Sequence, residues 1–256
     1  MKKCLFLSAG LIIVILTFGV LSYKGVLAPA GVTDRAEPVS HTNPRSPSDT
    51  TGKNLLRHYP YWHTRDSHFT NLSTKADVVM LGDSITDYAE WNELLPGVRV
   101  LNRGIGGDNS SRLLERLDAV INISPGHVFI MIGINDINKG TPVTEIFTKY
   151  LRILDLIREE GITPVVQSTL YIGQVFSRVK GASPERVINI NEQVRKLNSL
   201  LSNYCRENNI MFLDLNSSLS ENGFLKEEYA FDGLHPNGPA YLIWAGEIMR
   251  VVKHLP

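Results

Sequence analysis

Four short stretches of this 256-residue chain carry side chains that could together move an acyl group. Gly82-Asp83-Ser84-Ile85-Thr86 offers a hydroxyl in a turn, and Asn102-Arg103-Gly104-Ile105-Gly106-Gly107-Asp108 a glycine-rich loop. Gly133-Ile134-Asn135-Asp136 adds a side-chain amide, and Asp232-Gly233-Leu234-His235-Pro236 places an imidazole three residues after a carboxylate. A serine hydroxyl attacks a carbonyl well only when a neighbouring base takes its proton. The oxyanion that results needs N–H donors aimed at it, and the base needs an acceptor that fixes its tautomer. Each of these parts is present in one of the stretches.

They can cooperate only if the fold brings them to one place, and the intervening sequence indicates how. Asp77–Leu81, Val98–Leu101, His127–Ile132, Pro164–Gln167 and Ile210–Asp214 are short apolar runs and are predicted as strands. The first and third are almost continuously apolar, as in strands covered on both faces. Amphipathic stretches alternate with them. After Ser183-Pro184, a cap with proline at the first helical position, Val187, Ile190, Val194, Leu197, Leu201 and Tyr204 recur every three or four residues. Val143, Phe147, Tyr150, Leu154 and Ile157 do the same before Gly161, and Tyr241, Ala245, Ile248 and Val252 form a last helix. This alternation predicts an α/β fold, a three-layer α/β/α sandwich with a mainly parallel five-stranded sheet. Such sheets bind ligands beyond the carboxyl ends of their strands, where loops gather and helix amino ends point. Three of the four stretches directly follow a predicted strand, and the fourth lies downstream of the last.

In order and approximate spacing the four stretches resemble the blocks of the SGNH, or GDSL, hydrolase family, over about Ala76 to Arg250. Ile85 stands where the family's eponymous motif has leucine, which leaves Ser84 in place. The segment from Trp91 to Asp108, ending in LNRGIGGD, is similar to platelet-activating-factor acetylhydrolase catalytic subunits and to bacterial sialate-O-acetylesterase-like proteins. The resemblance implies a flavodoxin-like SGNH fold and a serine ester hydrolase working through an acyl-enzyme. It implies Ser84 as nucleophile, His235 as general base and Asp232 as the group that orients it. The oxyanion donors would be the Ser84 and Gly107 N–H groups and the Asn135 amide, with no cofactor and no metal. It tilts the substrate towards short acyl groups, especially O-acetyl on a carbohydrate or related ester. A lysophospholipase-like lipid esterase and an O-acyltransferase using the same acyl-enzyme stay open. Tyr88 and Trp91 follow Ser84 at helical spacing, so they either line an acyl or sugar pocket or pack on the sheet. Arg103 either meets an acidic substrate or braces its loop.

The remaining sequence sets bounds. Twenty-six basic residues balance twenty-six acidic ones, so no global positive field exists to hold nucleic acid. Cys4 and Cys205 cannot form a four-thiolate site, and the five-residue spacing of His58, His63 and His68 puts no pair on one helical or strand face. At the amino end, Lys2 and Lys3 precede an uncharged run from Leu5 to Tyr23. As a helix it would span roughly 28 Å, enough to cross a bilayer core. Ala28-Pro29-Ala30 also offers a small-residue cleavage site. Residues 1–30 are therefore a membrane anchor or a cleaved signal, and both readings send the rest of the chain out of the cytoplasm. The domain would sit in the cell envelope, periplasmic or extracellular, or be secreted if the segment is removed. Residues 31–53, rich in Pro, Ser and Thr, read as a flexible linker, and 54–256 as the hydrolase domain.

Overall fold

The computed structural model describes residues 52–72 and 74–253, with side chains from residue 60 onward. Five strands, Val78–Gly82 (β1), Val100–Gly104 (β2), His127–Met131 (β3), Thr163–Gln167 (β4) and Met211–Leu213 (β5), form one sheet in the order β2-β1-β3-β4-β5. Every pairing is parallel, with Val78 opposite both Val100 and His127. Helices flank the sheet, giving the expected three-layer α/β/α arrangement. β1 is buried along its whole length, and β3 from Val128 onward, which accounts for their unbroken apolar runs. The chain winds outward from β1 in one direction and from β3 in the other. The crevice above the ends of β1 and β3 is thus the place where this topology presents a site.

Three features differ from the sequence expectation. β2 continues past Leu101 through Asn102, Arg103 and Gly104, which pair with Met80, Leu81 and Gly82. The polar Asn102 does not end the strand because its side chain is satisfied by nearby backbone groups. Its amide donates to the carbonyls of Asp87 and Ala89 at 3.0 and 3.1 Å, and its oxygen accepts the Gly104 N–H at 2.9 Å. A small antiparallel hairpin, Ser220–Glu221 (β6) with Phe224–Leu225 (β7), turns through Asn222 and Gly223. Both turn residues have positive φ, the pattern an Asn-Gly pair favours in hairpins. Finally, a helix spans Gly52–Asn71, with Pro60 inside it, beginning within the expected linker. The expected anchor (1–30) and most of that linker lie outside the described residues. Among the described residues no helix is long and apolar enough to cross a membrane.

The C-terminal helix, Gly238–Val252, supports the turn that carries Ser84. Tyr241 Oη–H donates to the carbonyl of Ile85 at 2.7 Å, and Trp91 Nε1–H to that of Thr86 at 2.9 Å. Trp91 and Trp244 meet edge to face with centroids 4.9 Å apart, and Trp244 Nε1–H donates to Gln167 at 2.6 Å. Trp91 is only 2% exposed, so it packs in the core and is not a pocket-lining residue. Its large apolar surface outweighs the helical spacing that links it to Ser84, because the short helix Ser84–Asp87 ends before reaching it. Replacing Trp91 with alanine is expected to lower the unfolding free energy by about 3–5 kcal/mol. Urea denaturation followed by far-UV circular dichroism checks this.

Candidate active site

β1 ends at Gly82, where a side chain is impossible. A Cβ there would lie 2.3 Å from Thr86 Oγ1 and 2.4 Å from the Met131 carbonyl, so glycine lets the next turn fold back on the strand. Asp83 caps that turn by accepting the Ile85 N–H at 2.9 Å, and Ser84 opens the helix Ser84–Asp87. As the first helical residue, Ser84 has a backbone N–H with no partner inside the helix.

The structure brings Ser84, His235 and Asp232 into a hydrogen-bonded line. Ser84 Oγ lies 2.9 Å from His235 Nε2, and His235 Nδ1 lies 2.8 Å from Asp232 Oδ2. The other Asp232 oxygen accepts the N–H groups of Leu234 and His235 at 2.9 and 2.8 Å, closing the Asp232–His235 turn on itself. Gly233 makes that turn possible with φ +75° and a close approach to Phe176 N, 2.5 Å from where a Cβ would be. Partial burial pushes the Asp232 carboxyl up, but the His235 N–H, the imidazole and the Leu234 N–H outweigh it and hold the group well below the usual carboxylate range. Lys180 Nζ, 3.3 Å from Oδ2, adds a cation. The imidazole therefore faces an anion.

A cavity of about 480 Å³ opens onto Ser84 and His235. Gly106, Gly107, Asn135 and Leu234 form part of its wall, and Tyr88 and Tyr61 stand at it. Asn135 lies in the helix Ile134–Asn138 that follows β3. Its Nδ2 donates to the Asp108 carbonyl at 2.8 Å and faces Asp83 Oδ2 at 3.4 Å, which fixes the amide's orientation. The Gly106 N–H is taken by Asp87 Oδ2 at 3.0 Å. Among the described residues the Gly107 N–H has no acceptor. Tyr88 is 60% exposed and stacks on the His235 ring at 4.8 Å. A second cavity, about 510 Å³ beside Phe212, Asp214 and Arg195 along β5, contains none of these groups.

Arg103 does not reach the cavity. Because β2 extends through it, its guanidinium lies buried over the Phe69 ring, 4.5 Å from the centroid, and donates to the Asn102 carbonyl at 3.1 Å. Burial, with Arg65 and Arg116 nearby, lowers its pKa to about 10. Phe69 belongs to the Gly52–Asn71 helix, which sequence reasoning missed as a contributor to the site. Its Tyr61 hydroxyl donates to Asp87, Arg65 Nη2 donates to Asp87 Oδ1 at 3.0 Å, and Trp62 Nε1–H donates to Asp108 Oδ1 at 3.1 Å. The signal was present as Tyr61, Trp62, Arg65 and Phe69 at three- to four-residue spacing, masked by Pro60 and by a stripe that is half polar.

Residues 80–243 match the GDSL-like Lipase/Acylhydrolase family. The chain belongs to that family. Among relatives of this GDSL chain, an N-acylneuraminate cytidylyltransferase of Streptococcus agalactiae is 29% identical over 161 residues, 63% of this chain and 35% of that protein. The chain thus spans about a third of the length of that relative. The platelet-activating factor acetylhydrolase IB subunit alpha2 of Gallus gallus is 27% identical over 190 residues, 70% of this chain and 78% of that one. Two solved structures share the fold. A GDSL-like lipase from Bacteroides thetaiotaomicron superposes with a TM-score of 0.62 at 23% identity, covering 78% of this chain and 98% of that one. A catalytic mutant of an acetylxylan esterase from Geobacillus stearothermophilus superposes with a TM-score of 0.56 at 21% identity, covering 70% and 95%.

Behind the GDSL serine, three carboxylates are buried close together. Asp108 pairs with Arg116 Nε at 2.7 Å, and Asp136 accepts the Ser110 N–H and hydroxyl at 3.0 and 2.6 Å. Among the described residues Asp83 pairs with no cation. Burial pushes its pKa up to about 7, opposed by the Ile85 N–H and reinforced by the charges of Asp108 and Asp136. Its unfolded value is about 3.9. The folded chain therefore keeps a proton that the unfolded chain releases, so this group's contribution to stability falls as pH rises from about 4 to about 7 and is level above. The urea midpoint of Asp83→Asn, compared with wild type from pH 4.5 to 7.5, is expected to lack this component of the decline.

Proposed function

We propose that this chain is a serine ester hydrolase that removes short acyl groups, O-acetyl foremost, from a carbohydrate or related alcohol. The observation that carries this reading is the line Ser84–His235–Asp232 opening on one cavity whose wall includes Gly107 and Asn135. His235 Nε2 takes the Ser84 proton as Oγ bonds to the ester carbonyl carbon. The carbonyl oxygen becomes an oxyanion and accepts from the Ser84 and Gly107 N–H groups and the Asn135 amide. As the C–O bond to the alcohol breaks, the imidazolium hands its proton to the leaving oxygen, leaving the acyl group on Ser84. Water then repeats the sequence, with His235 as base, and releases the acid and the free serine.

The small space beside Asn135 supports a small acyl group. Past Asn135 and Leu234 lies an apolar pit between Ile134, Ile172, Phe176 and Ile190 with room of only about 10 Å³. That is about the space of one water-sized probe, too little for an acyl chain. The names of two relatives point the same way: an acetylhydrolase and an acetylxylan esterase. The uncharged run from Leu5 to Tyr23 behind Lys2 and Lys3 supports a membrane anchor or a cleaved signal, with catalysis outside the cytoplasm in the cell envelope.

Assay of the chain on acetyl, butyryl and octanoyl nitrophenyl esters, beside O-acetylated xylooligosaccharides and sialates, tests the reading. Acetyl esters are expected to give a kcat/KM about 100-fold or more above butyryl ones, since two further methylenes that find no room each cost about 10-fold. Ser84→Ala should abolish turnover, and activity surviving in it would identify another nucleophile. Octanoyl preference would favour a lipid esterase, and acetyl transfer to a sugar in water would favour an acyltransferase. Asn135→Ala is expected to lower kcat by about 10²–10³. A wild-type rate would remove Asn135 from the oxyanion site.

A further inference from the structure

Gly107 can serve an oxyanion only if its turn is held still relative to Ser84, and the turn is built from Gly104, Ile105, Gly106 and Gly107, a sequence with little side chain to anchor it. The anchor comes from Asp87. Its carboxylate is 5% exposed and sits at the last position of the helix that Ser84 begins. Three donors converge on it: the Gly106 N–H at 3.0 Å, Arg65 Nη2 at 3.0 Å and the Tyr61 hydroxyl. The backbone is drawn in as well, since a Cβ on Gly104 would lie 2.3 Å from Asp87 N, and Arg65 also reaches the Gly104 carbonyl at 3.4 Å. One carboxylate thus joins the nucleophile's helix, the turn bearing Gly107 and the helix Gly52–Asn71.

We propose that Asp87 is a positioning residue that holds the Gly106-Gly107 turn against the Ser84 helix, and that the Gly52–Asn71 helix bears on catalysis through it. The inference rests on the serine ester hydrolase reading above. Asp87 touches none of the three residues Ser84, His235 and Asp232 through its side chain. Its loss therefore changes where an oxyanion donor points and leaves the proton relay intact. A donor displaced by about 1 Å costs up to about 10²-fold in turnover.

The test measures kcat, KM and the pH profile on nitrophenyl acetate for the full chain and for Asp87→Ala, Asp87→Asn and Arg65→Met, with rates normalised to the folded fraction from near-UV circular dichroism. Asp87→Ala is expected to lose about 10- to 100-fold in kcat, with KM within about 2-fold and the apparent pKa of the profile unmoved. Asp87→Asn keeps an oxygen for the Gly106 N–H and should recover part of the loss. Arg65→Met, which removes one donor on a partly exposed residue outside the cavity, should lower kcat by about 2- to 10-fold. If Asp87→Ala fails to fold, the other two variants decide. A wild-type kcat in either, a loss that falls in KM, or an asparagine variant no better than alanine overturns the inference. Absence of Ser84-dependent turnover in the wild-type chain would instead sink the hydrolase reading, whereas Ser84-dependent turnover indifferent to Asp87 and Arg65 sinks only this step.

Discussion

A hydrogen bond of 2.9 Å between Ser84 Oγ and His235 Nε2 joins groups 151 residues apart in the chain, and the fold is arranged around making it short. A parallel sheet makes such a meeting inexpensive, because all its strands end at the same rim. The order β2-β1-β3-β4-β5 adds a crevice above β1 and β3, where neighbouring connections leave in opposite directions. Ser84 enters it from the end of β1 and Asn135 from the end of β3. His235 arrives by a separate route, on a loop fixed by the Gly173 N–H to Gly233 carbonyl bond at 2.7 Å and by the C-terminal helix that follows it. That same helix reaches back through Tyr241 to the Ser84 turn, so both ends of the hydrogen bond are braced by one element.

The carboxylates around the site show how environment divides roles among identical groups. Asp232 accepts from two backbone N–H groups and an imidazole, so it stays anionic and can pair with a protonated histidine. Asp108 has buried Arg116, and Asp136 has the N–H and hydroxyl of Ser110. Asp83 lies between them with only the Ile85 N–H as a strong donor, and burial drives it towards the neutral form. A neutral or anionic Asp83 still caps the Ser84 helix through the same oxygen. The nucleophile's turn thus tolerates a carboxyl whose charge the interior disfavours.

Much of this was legible in the chain alone, and the reasons are physical. β1 and β3 are buried on both faces, so their apolar runs are unambiguous, and the chemistry-bearing residues lie in the loops where a parallel sheet needs them. Asp232 and His235 were readable because a three-residue separation suffices for a carboxylate to reach the imidazole. Arg103 was left between two roles because strand ends are set by hydrogen bonding and not by polarity. Asn102 is satisfied by the carbonyls of Asp87 and Ala89 and by the Gly104 N–H, and the strand carries Arg103 under Phe69 instead of out towards the cavity. Trp91 follows Ser84 at helical spacing, yet the helix stops at Asp87, and the spacing argument fails with it. The pit beside Asn135 could not be read at all, since its residues come from four separate segments.

The helix Gly52–Asn71 was hidden for a different reason. Periodicity finds helices that bury an apolar stripe, and this one is held largely through polar groups. Tyr61 and Arg65 satisfy Asp87, Trp62 satisfies Asp108, and Phe69 lies against the guanidiniums of Arg65 and Arg103. Without the helix, Asp87 would lose two donors and Asp108 one, and Phe69 would no longer cover Arg103. The helix is therefore needed less for the core than for charge balance at the site. Polar anchoring of this kind depends on a few directional bonds, so its effect reaches the loops that carry Ser84 and Gly107 and not the sheet beneath them.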